Sequence, residues 1–355
     1  MLANRDTTTL QRHPKRKLRV PLVLLALVAT WLALGAGMPS PEGDPELRSL
    51  LNLPPHFPLP NIPDDNYPTA ERIALGKKLF YDPILSRDST VSCASCHHQS
   101  LAFADSVPKS FGIEHLMVDR NAPTLTNVAY QPILLSDAGV PTLEMQILVP
   151  VQEHREFDFN IVAAGKRVEQ HPEYARLCAE AYPEKPSYFA ITRAIACFER
   201  TLTSGSSPYD AYLQGDKKAL SPAAKRGLKL FHKLECNACH SGLQFTNYSL
   251  ANIGLYEHYA DSGRARQTEL AADRGAFKVP TLRNIALTAP YMHDGSLPTL
   301  EAVLAHKATG GLDHPNKSPL LKPFELSAKQ QQDLLAFLHA LTDVAFTVDP
   351  SFRAP

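Results

Sequence analysis

The sequence lacks an excess of charge of either sign, because 36 lysine and arginine residues balance 36 aspartate and glutamate residues. This balance gives no electrostatic footprint for nucleic acid, and we expect no nucleic-acid partner. Tryptophan is almost absent. Trp31 is the only one, so no indole ring takes part in any chemistry of the chain after it. Cysteine is scarce as well, with six in 355 residues.

Four of the six cysteines form two copies of one motif. Cys-x-x-Cys-His attaches haem c, with two thiols bonding the haem and the histidine ligating its iron. The residues are Cys93, Cys96 and His97, and then Cys236, Cys239 and His240. Zinc would need both cysteine pairs around one ion, and a thioredoxin-like pair would need a preceding strand. Two copies behind an export signal favour two covalently bound haem c groups.

The two remaining cysteines, Cys178 and Cys197, lie in helix-like segments. We expect separate buried thiols, and a disulfide between them is the alternative in an oxidising compartment.

The N-terminal residues 1–38 predict export. Residues 1–19 are basic, and Val20 to Met38 carries no charge. That run is long for a signal peptide and just long enough to span a bilayer. Ala33, Gly35 and Gly37 offer a cleavage site, but we favour an uncleaved anchor. Positive-inside logic places everything after Met38 outside the cytoplasm. Residues 39–67 are rich in proline and predict a tether.

One unit occurs twice in the rest of the chain. Thr69 predicts an N-cap, and Gly-x-x-Leu-Phe precedes each haem motif, as Gly76–Phe80 and Gly227–Phe231. The last helix, after Ser327, carries one apolar stripe. These patterns predict a mostly α protein with two tandem cytochrome c-like haem domains, at 68–205 and 206–346.

Several motifs between about Pro68 and Asp343 resemble the bacterial dihaem cytochrome c peroxidase family, which includes MauG-type enzymes. They are Leu75–Pro83, Leu85–Asp88, Arg120–Thr124 and Val279–Asn284. The resemblance implies reduction of hydrogen peroxide to water. Electrons would enter at the C-terminal haem from a small cytochrome or cupredoxin, and peroxide would bind at the N-terminal haem. It also allows a homodimer.

The resemblance implies a glutamate acid–base group ten residues after a glutamine. Glu156 and Gln146 stand at that spacing, which makes Glu156 the expected general acid–base and Gln146 its polar companion. Glu153 and His154 are nearby substitutes.

Two positions depart from the family pattern. Ser136 stands where the family has a tryptophan between the haems, so electron transfer must use other groups. Ile113 stands where some peroxidases carry a second histidine ligand, and His115 is expected on the surface. We therefore expect a peroxide site that is open without reductive activation.

The family places the sixth ligand of the C-terminal haem seventeen residues after a proline that matches Pro290. That position is Lys307, which shares a helical face with Leu300 and Leu304. His306 and Met292 are rival ligands.

The resemblance also implies a calcium ion between the domains. Asn121, Thr288 and Pro290 match its ligands, through one side-chain amide and two backbone carbonyls. The alternative is a turn without metal.

These features support three possible functions. The first is a periplasmic dihaem peroxidase. The second is a MauG-type oxidase that uses peroxide to oxidise an organic or protein substrate. The third is a dihaem electron carrier without enzymatic activity. A peroxide site with Glu156 beside it would separate the first two from the third.

Overall fold

The computed structural model describes residues 44–355, and helices make up most of their regular structure. The α-helices are α1 (Pro45–Leu50), α2 (Ala70–Tyr81), α3 (Leu143–Gln146), α4 (Leu148–Gln152), α5 (Ile161–Gln170), α6 (Pro172–Ala181), α7 (Ser187–Thr201), α8 (Pro208–Leu213), α9 (Pro222–Lys233), α10 (Ala265–Thr268), α11 (Leu300–Thr309), α12 (Ala328–His339) and α13 (Val344–Val348). The predicted mostly α class is confirmed.

Strands and short helices complete the regular structure. Strands β1 (Leu250–Ala251) and β2 (Phe277–Lys278) pair antiparallel, with Leu250 opposite Lys278. The 3-10 turns are Pro83–Leu85, Cys93–Ser95, Gln99–Leu101, Ile113–His115, Val128–Tyr130, Cys236–Ala238, Ala271–Asp273, Ile285–Leu287 and Pro350–Phe352.

In the part of the chain that the structure describes, no helix has the length and apolar character needed to cross a membrane. The predicted segment Val20 to Met38 lies outside the described residues.

The helix before each haem motif packs through a glycine. Side-chain caps begin both helices, from Thr69 in α2 and from Ser221 in α9. A Cβ atom on Gly76 would lie 1.8 Å from the Ala194 carbonyl oxygen of α7. A Cβ atom on Gly227 would lie 1.9 Å from the Asp333 carbonyl oxygen of α12. The absence of a side chain therefore sets the distance between the paired helices in both halves.

Buried apolar residues form two clusters. The first is built mainly from residues between Leu75 and Leu202, and it also takes in Phe346 and Phe352 from the C-terminal end. The second contains residues between Phe231 and Leu341, including Leu334, Phe337 and Leu338 of the predicted apolar stripe. Residues 45–355 form one compact unit, and the boundary near 205 stays a prediction.

Residues 45–66 do not form the tether that their proline content predicts. Leu47, Leu51 and Phe57 are buried. Tyr130 Oη donates to the Pro58 carbonyl at 2.7 Å, and a Cβ atom on Gly205 would lie 2.6 Å from Pro54. The tether interpretation of 39–67 is therefore wrong for this part, because apolar side chains between the prolines supply burial that proline content alone does not reveal.

The two remaining cysteines are separate and buried, as predicted. Cys197 donates to the Asn66 amide oxygen at 3.3 Å.

A second sequence repeat occurs once in each half. Pro123–Asn127 and Pro280–Asn284 both read Pro-Thr-Leu-x-Asn, and both asparagines adopt left-handed backbone conformations. The Asn127 N–H donates to Leu202 O at 2.9 Å, and the Asn284 N–H donates to Leu341 O at 3.0 Å. Each asparagine thus ties its loop to the end of the last long helix of its own half.

We expect Gly227→Ala to destabilise the holoprotein. In an exposed helix interior this change would stabilise by about 1 kcal/mol. Here the new methyl group meets the α12 backbone, and such overpacking costs about 1–3 kcal/mol. The measurement is thermal unfolding followed by circular dichroism. Lys229→Ala, at an exposed position of α9, is the matched control and should leave the melting temperature nearly unchanged. A higher melting temperature for Gly227→Ala would contradict the close packing.

Candidate active site

The first cysteine motif folds into one tight turn. Ser92 and Ser95 cap it reciprocally, and the His97 N–H donates to Cys93 O at 3.0 Å. The second motif repeats the turn, with the His240 N–H donating to Cys236 O at 2.9 Å. Each turn therefore gathers two thiols and one imidazole at the end of a packed helix.

The orientation of both imidazoles is fixed by a backbone carbonyl. His97 Nδ1 donates to Phe103 O at 2.8 Å, and His240 Nδ1 donates to Phe245 O at 3.1 Å. Burial lowers the pKa of both histidines, that of His240 to about 4 with the Lys307 charge adding to the effect. Both rings are therefore neutral, with Nε2 left as the electron-pair donor. This is the tautomer that ligates iron, and these residues fit haem c.

Sequence reasoning missed the carbonyls of Phe103 and Phe245. A phenylalanine occurs after each motif at nearly the same distance, and that spacing was the available signal.

Glu156 lies in the loop after α4, close enough to the first motif for its charge to act on both cysteines. The Ile113 N–H donates to Glu156 O at 2.8 Å, and a Cβ atom on Gly112 would lie 2.7 Å from Glu156 Cα. Burial, together with the smaller effect of the charges of Glu153 and Asp119, raises the pKa of the Glu156 carboxyl to about 7. Its charge in turn contributes to raising the pKa of Cys93 and Cys96. Glu156 is thus a half-buried carboxyl close to the first motif that can be protonated near neutral pH.

The two substitutes for Glu156 face solvent. Glu153 is exposed. The His154 side chain is 72% exposed and lies 3.2 Å from the Asp158 carboxylate. Neither shares the burial of Glu156.

Gln146 lies at the end of α3, where it is half-buried. This short helix is held by a buried ion pair, in which Arg200 Nη1 donates to Glu144 Oε1 at 2.7 Å. Asn66 donates to the same oxygen at 2.7 Å. A fixed α3 holds the backbone of Gln146 in place. Its catalytic role stays a prediction.

The structure shows the surroundings of the residues that depart from the family pattern. Ile113 is fully buried in the hairpin against Glu156, whereas His115 is exposed, as expected of a surface histidine. Ser136 O accepts from the Lys278 N–H at 2.7 Å.

Lys307 lies on α11, close to the second motif. Burial lowers its pKa to about 8, and the charges of Cys239 and Cys236 act against that shift. Within residues 44–355 the Lys307 ammonium forms no ion pair. His306 is engaged elsewhere, since its Nε2 lies 3.2 Å from Ile253 O. Met292 has a left-handed backbone in the hairpin that precedes α11.

The residues predicted to bind calcium come from two neighbouring loops. The Asn121 N–H donates to His293 O at 2.8 Å, which brings Asn121 beside the loop that contains Thr288 and Pro290. The Asn121 amide nitrogen donates to Val107 O and Pro108 O, each at 3.2 Å. The described residues hold no cluster of three histidine, cysteine or acidic side chains arranged for a metal.

Comparison with protein families agrees with this arrangement. The profile of the family described as di-haem cytochrome c peroxidase matches residues 70–218. A second profile, described as RoxA-like, cytochrome c-like, matches residues 276–309. The first match contains the first cysteine motif, and the second match lies after the second motif.

Individual relatives cover most of the chain. The methylamine utilization protein MauG of Methylorubrum extorquens is 38% identical over 86% of this chain and 89% of its own length. The cytochrome c551 peroxidase of Pseudomonas aeruginosa is 34% identical over 76% and 78%, respectively. The crystal structure of a MauG-like protein associated with microbial copper homeostasis superposes with a TM-score of 0.81, at 35% identity, over 86% of this chain and 98% of that one. The chain therefore belongs to the dihaem cytochrome c peroxidase and MauG family.

Proposed function

We propose that this protein is a dihaem c-type peroxidase that reduces hydrogen peroxide to water with electrons from a small cytochrome or cupredoxin. Relatives named cytochrome c peroxidase support it. The observation that carries the proposal is Glu156, a half-buried carboxyl close enough to the first haem motif for its charge to act on Cys93 and Cys96. Burial raises its own pKa to about 7. An electron carrier would have no use for such a group.

The chain's own residues would hold two haem c groups. Cys93 and Cys96 would bond the first haem and His97 would ligate its iron, while Cys236, Cys239 and His240 would do the same for the second. We assign the first to a domain at 68–205 and the second to a domain at 206–346. When bound, haem supplies the iron at which peroxide binds and through which electrons reach it.

Glu156 would move the proton. Reduction of one peroxide to two water molecules consumes two electrons and two protons. A carboxylate with a pKa near the working pH can take a proton from one peroxide oxygen and return it to the other. The bond from the Ile113 N–H to Glu156 O fixes the backbone that carries the carboxylate. Gln146 would orient the peroxide as a polar companion.

Lys307 would be the sixth ligand of the second haem. Its burial beside Cys236 and Cys239 favours the neutral amine, which is the form that binds iron. The alternative ligand His306 is less available to the iron, because its Nε2 contacts Ile253 O.

A calcium ion would join the two loops that carry Asn121, Thr288 and Pro290. Within residues 44–355 the Asn121 amide oxygen accepts no hydrogen bond, so it is available to a hard cation.

We also place the protein in the periplasm, with residues 1–38 as signal peptide or membrane anchor, and we leave a homodimer as a further expectation.

A second candidate function is peroxide-driven oxidation of an organic or protein substrate. Its support is the 38% identity with the protein named MauG. The two functions differ in what peroxide consumption requires, which is a reduced donor protein for the peroxidase and an oxidisable substrate for the oxidase.

We expect Glu156→Gln to keep both haem spectra and to lower peroxide turnover by about 10²–10⁴-fold, the usual contribution of an acid–base group. The measurement is steady-state peroxide loss with a reduced donor cytochrome. Because the carboxylate must accept a proton first, wild-type kcat/KM should rise with pH through about 7. That limb should vanish in the variant.

Glu153→Gln is the matched control, since it removes a neighbouring charge that raises the pKa of Glu156. It should retain turnover and move the pH limb to lower pH. Unchanged turnover in Glu156→Gln would contradict the assignment. Peroxide loss that is independent of a reduced donor would favour the oxidase.

We expect Lys307→Ala to change the spin state or the near-infrared charge-transfer band of the second haem only, because it removes the proposed nitrogen ligand. Lys307→Met should give a sulfur-ligated haem of higher potential. Lys322→Ala, an exposed lysine in the same half, is the control and should leave both spectra unchanged. An unaltered band in Lys307→Ala would exclude lysine ligation and direct attention to His306 and Met292.

A further inference from the structure

The last residues of the chain pack on the first half of the protein. We call residues 343–353 the C-terminal strap. The strap contains α13 and the turn Pro350–Phe352, and its two phenylalanines, Phe346 and Phe352, are buried in the first cluster. It therefore completes a core whose other buried members lie between Leu75 and Leu202.

Hydrogen bonds fasten the strap along its length. Gln99 Nε2 donates to Phe346 O at 3.2 Å and to Asp349 O at 2.8 Å. Tyr81 Oη donates to Phe352 O at 2.6 Å. At the start of the strap, Asp343 accepts from the Gly205 N–H at 3.0 Å. These donors belong to the turn just after the first haem motif, to the helix before it, and to the segment between the halves.

The strap contacts the residue that orients His97. The Phe103 ring lies 5.6 Å from the Phe346 ring and 6.2 Å from the Phe352 ring, between centroids. Ala102 and Phe103 both adopt left-handed backbone conformations, with φ of 54° and 59°. Such conformations are unfavourable in non-glycine residues and persist only where their surroundings hold them. The strap supplies part of that hold, and Phe103 O is the acceptor for His97 Nδ1.

In the second half, the corresponding phenylalanine is held by residues of that half alone. Phe245, whose carbonyl accepts from His240, also has a left-handed backbone, with φ of 51°. Its ring packs against Tyr209, Phe231 and Phe337, at centroid distances of 5.1, 6.2 and 6.1 Å. All three belong to the second half. The ring contacts of Phe103 therefore extend outside its own half, whereas those of Phe245 stay within its own half.

We propose that the C-terminal strap is a positioning element for His97, acting through Phe103, and we rely here on the proposed role of His97 as a haem ligand. A carbonyl held in place strengthens the Nδ1–H bond and makes the imidazole a more basic ligand. A more basic ligand stabilises ferric iron and lowers the reduction potential. Loosening the strap therefore raises the potential of the first haem and leaves the second unchanged.

The test is spectroelectrochemical titration of both haems in the full-length holoprotein, with electron paramagnetic resonance of the ferric state. Phe352→Ala is expected to raise the first potential and to change the g-values of the first haem alone. Tyr209→Leu is the matched variant in the second half, and it is expected to affect the second haem alone. Phe352→Leu, which refills most of the volume, is expected to restore the wild-type values.

If Phe352→Ala does not yield folded holoprotein, Tyr81→Phe replaces it, because it removes a single hydrogen bond to the strap. It is expected to shift the first potential in the same direction by a smaller amount. Unchanged potential and g-values of the first haem overturn the positioning role, as does an equal shift of both haems. Peroxide turnover in the wild-type protein is measured separately, so failure of the peroxidase function is distinguished from failure of the strap.

Discussion

The site depends on one interaction made twice, the hydrogen bond from histidine Nδ1 to the carbonyl of a phenylalanine whose backbone is left-handed. This bond fixes the tautomer and leaves Nε2 as the donor to iron. It needs a buried ring and a carbonyl held in an unfavourable conformation. The aromatic rings packed around Phe103 and Phe245 hold these two residues in that conformation. The helix pairs that pack through Gly76 and Gly227 place the cysteine turns beside them.

The halves share a scaffold and differ in the functional residue that each one carries. The bridges Leu134–Val140 and Tyr291–Leu297 close equivalent hairpins, and Thr142 and Thr299 cap the helices that come next. In the first half the chain continues to Glu156, a carboxyl suited to moving protons. In the second half the helix continues to Lys307, a half-buried lysine whose pKa is lowered by burial. The carboxyl and the amine therefore distinguish two halves that otherwise share one arrangement of hairpin and capped helix.

Sequence patterns predicted the features that depend on neighbouring residues. The cysteine motifs, the capped helix beginning at Thr69 and the packing glycines each have a local signature. Glu156 was predicted from the family resemblance, because without it the residue would have been interpreted as an ordinary loop residue. The burial of Phe57 and the contact of Phe352 with Phe103 were not predicted, because they join segments far apart in the chain. The repeat formed by Asn127 and Asn284 was visible in the sequence and was missed because each copy was assigned to a separate motif.

Both histidine turns are built for covalent haem. The most direct test is the haem content of the purified protein, measured by intact mass together with the pyridine haemochrome spectrum. Two haem c groups per chain are predicted, and each should be lost from its own site in Cys93→Ala/Cys96→Ala and in Cys236→Ala/Cys239→Ala, respectively. A content of one haem in the wild-type protein would contradict the claim.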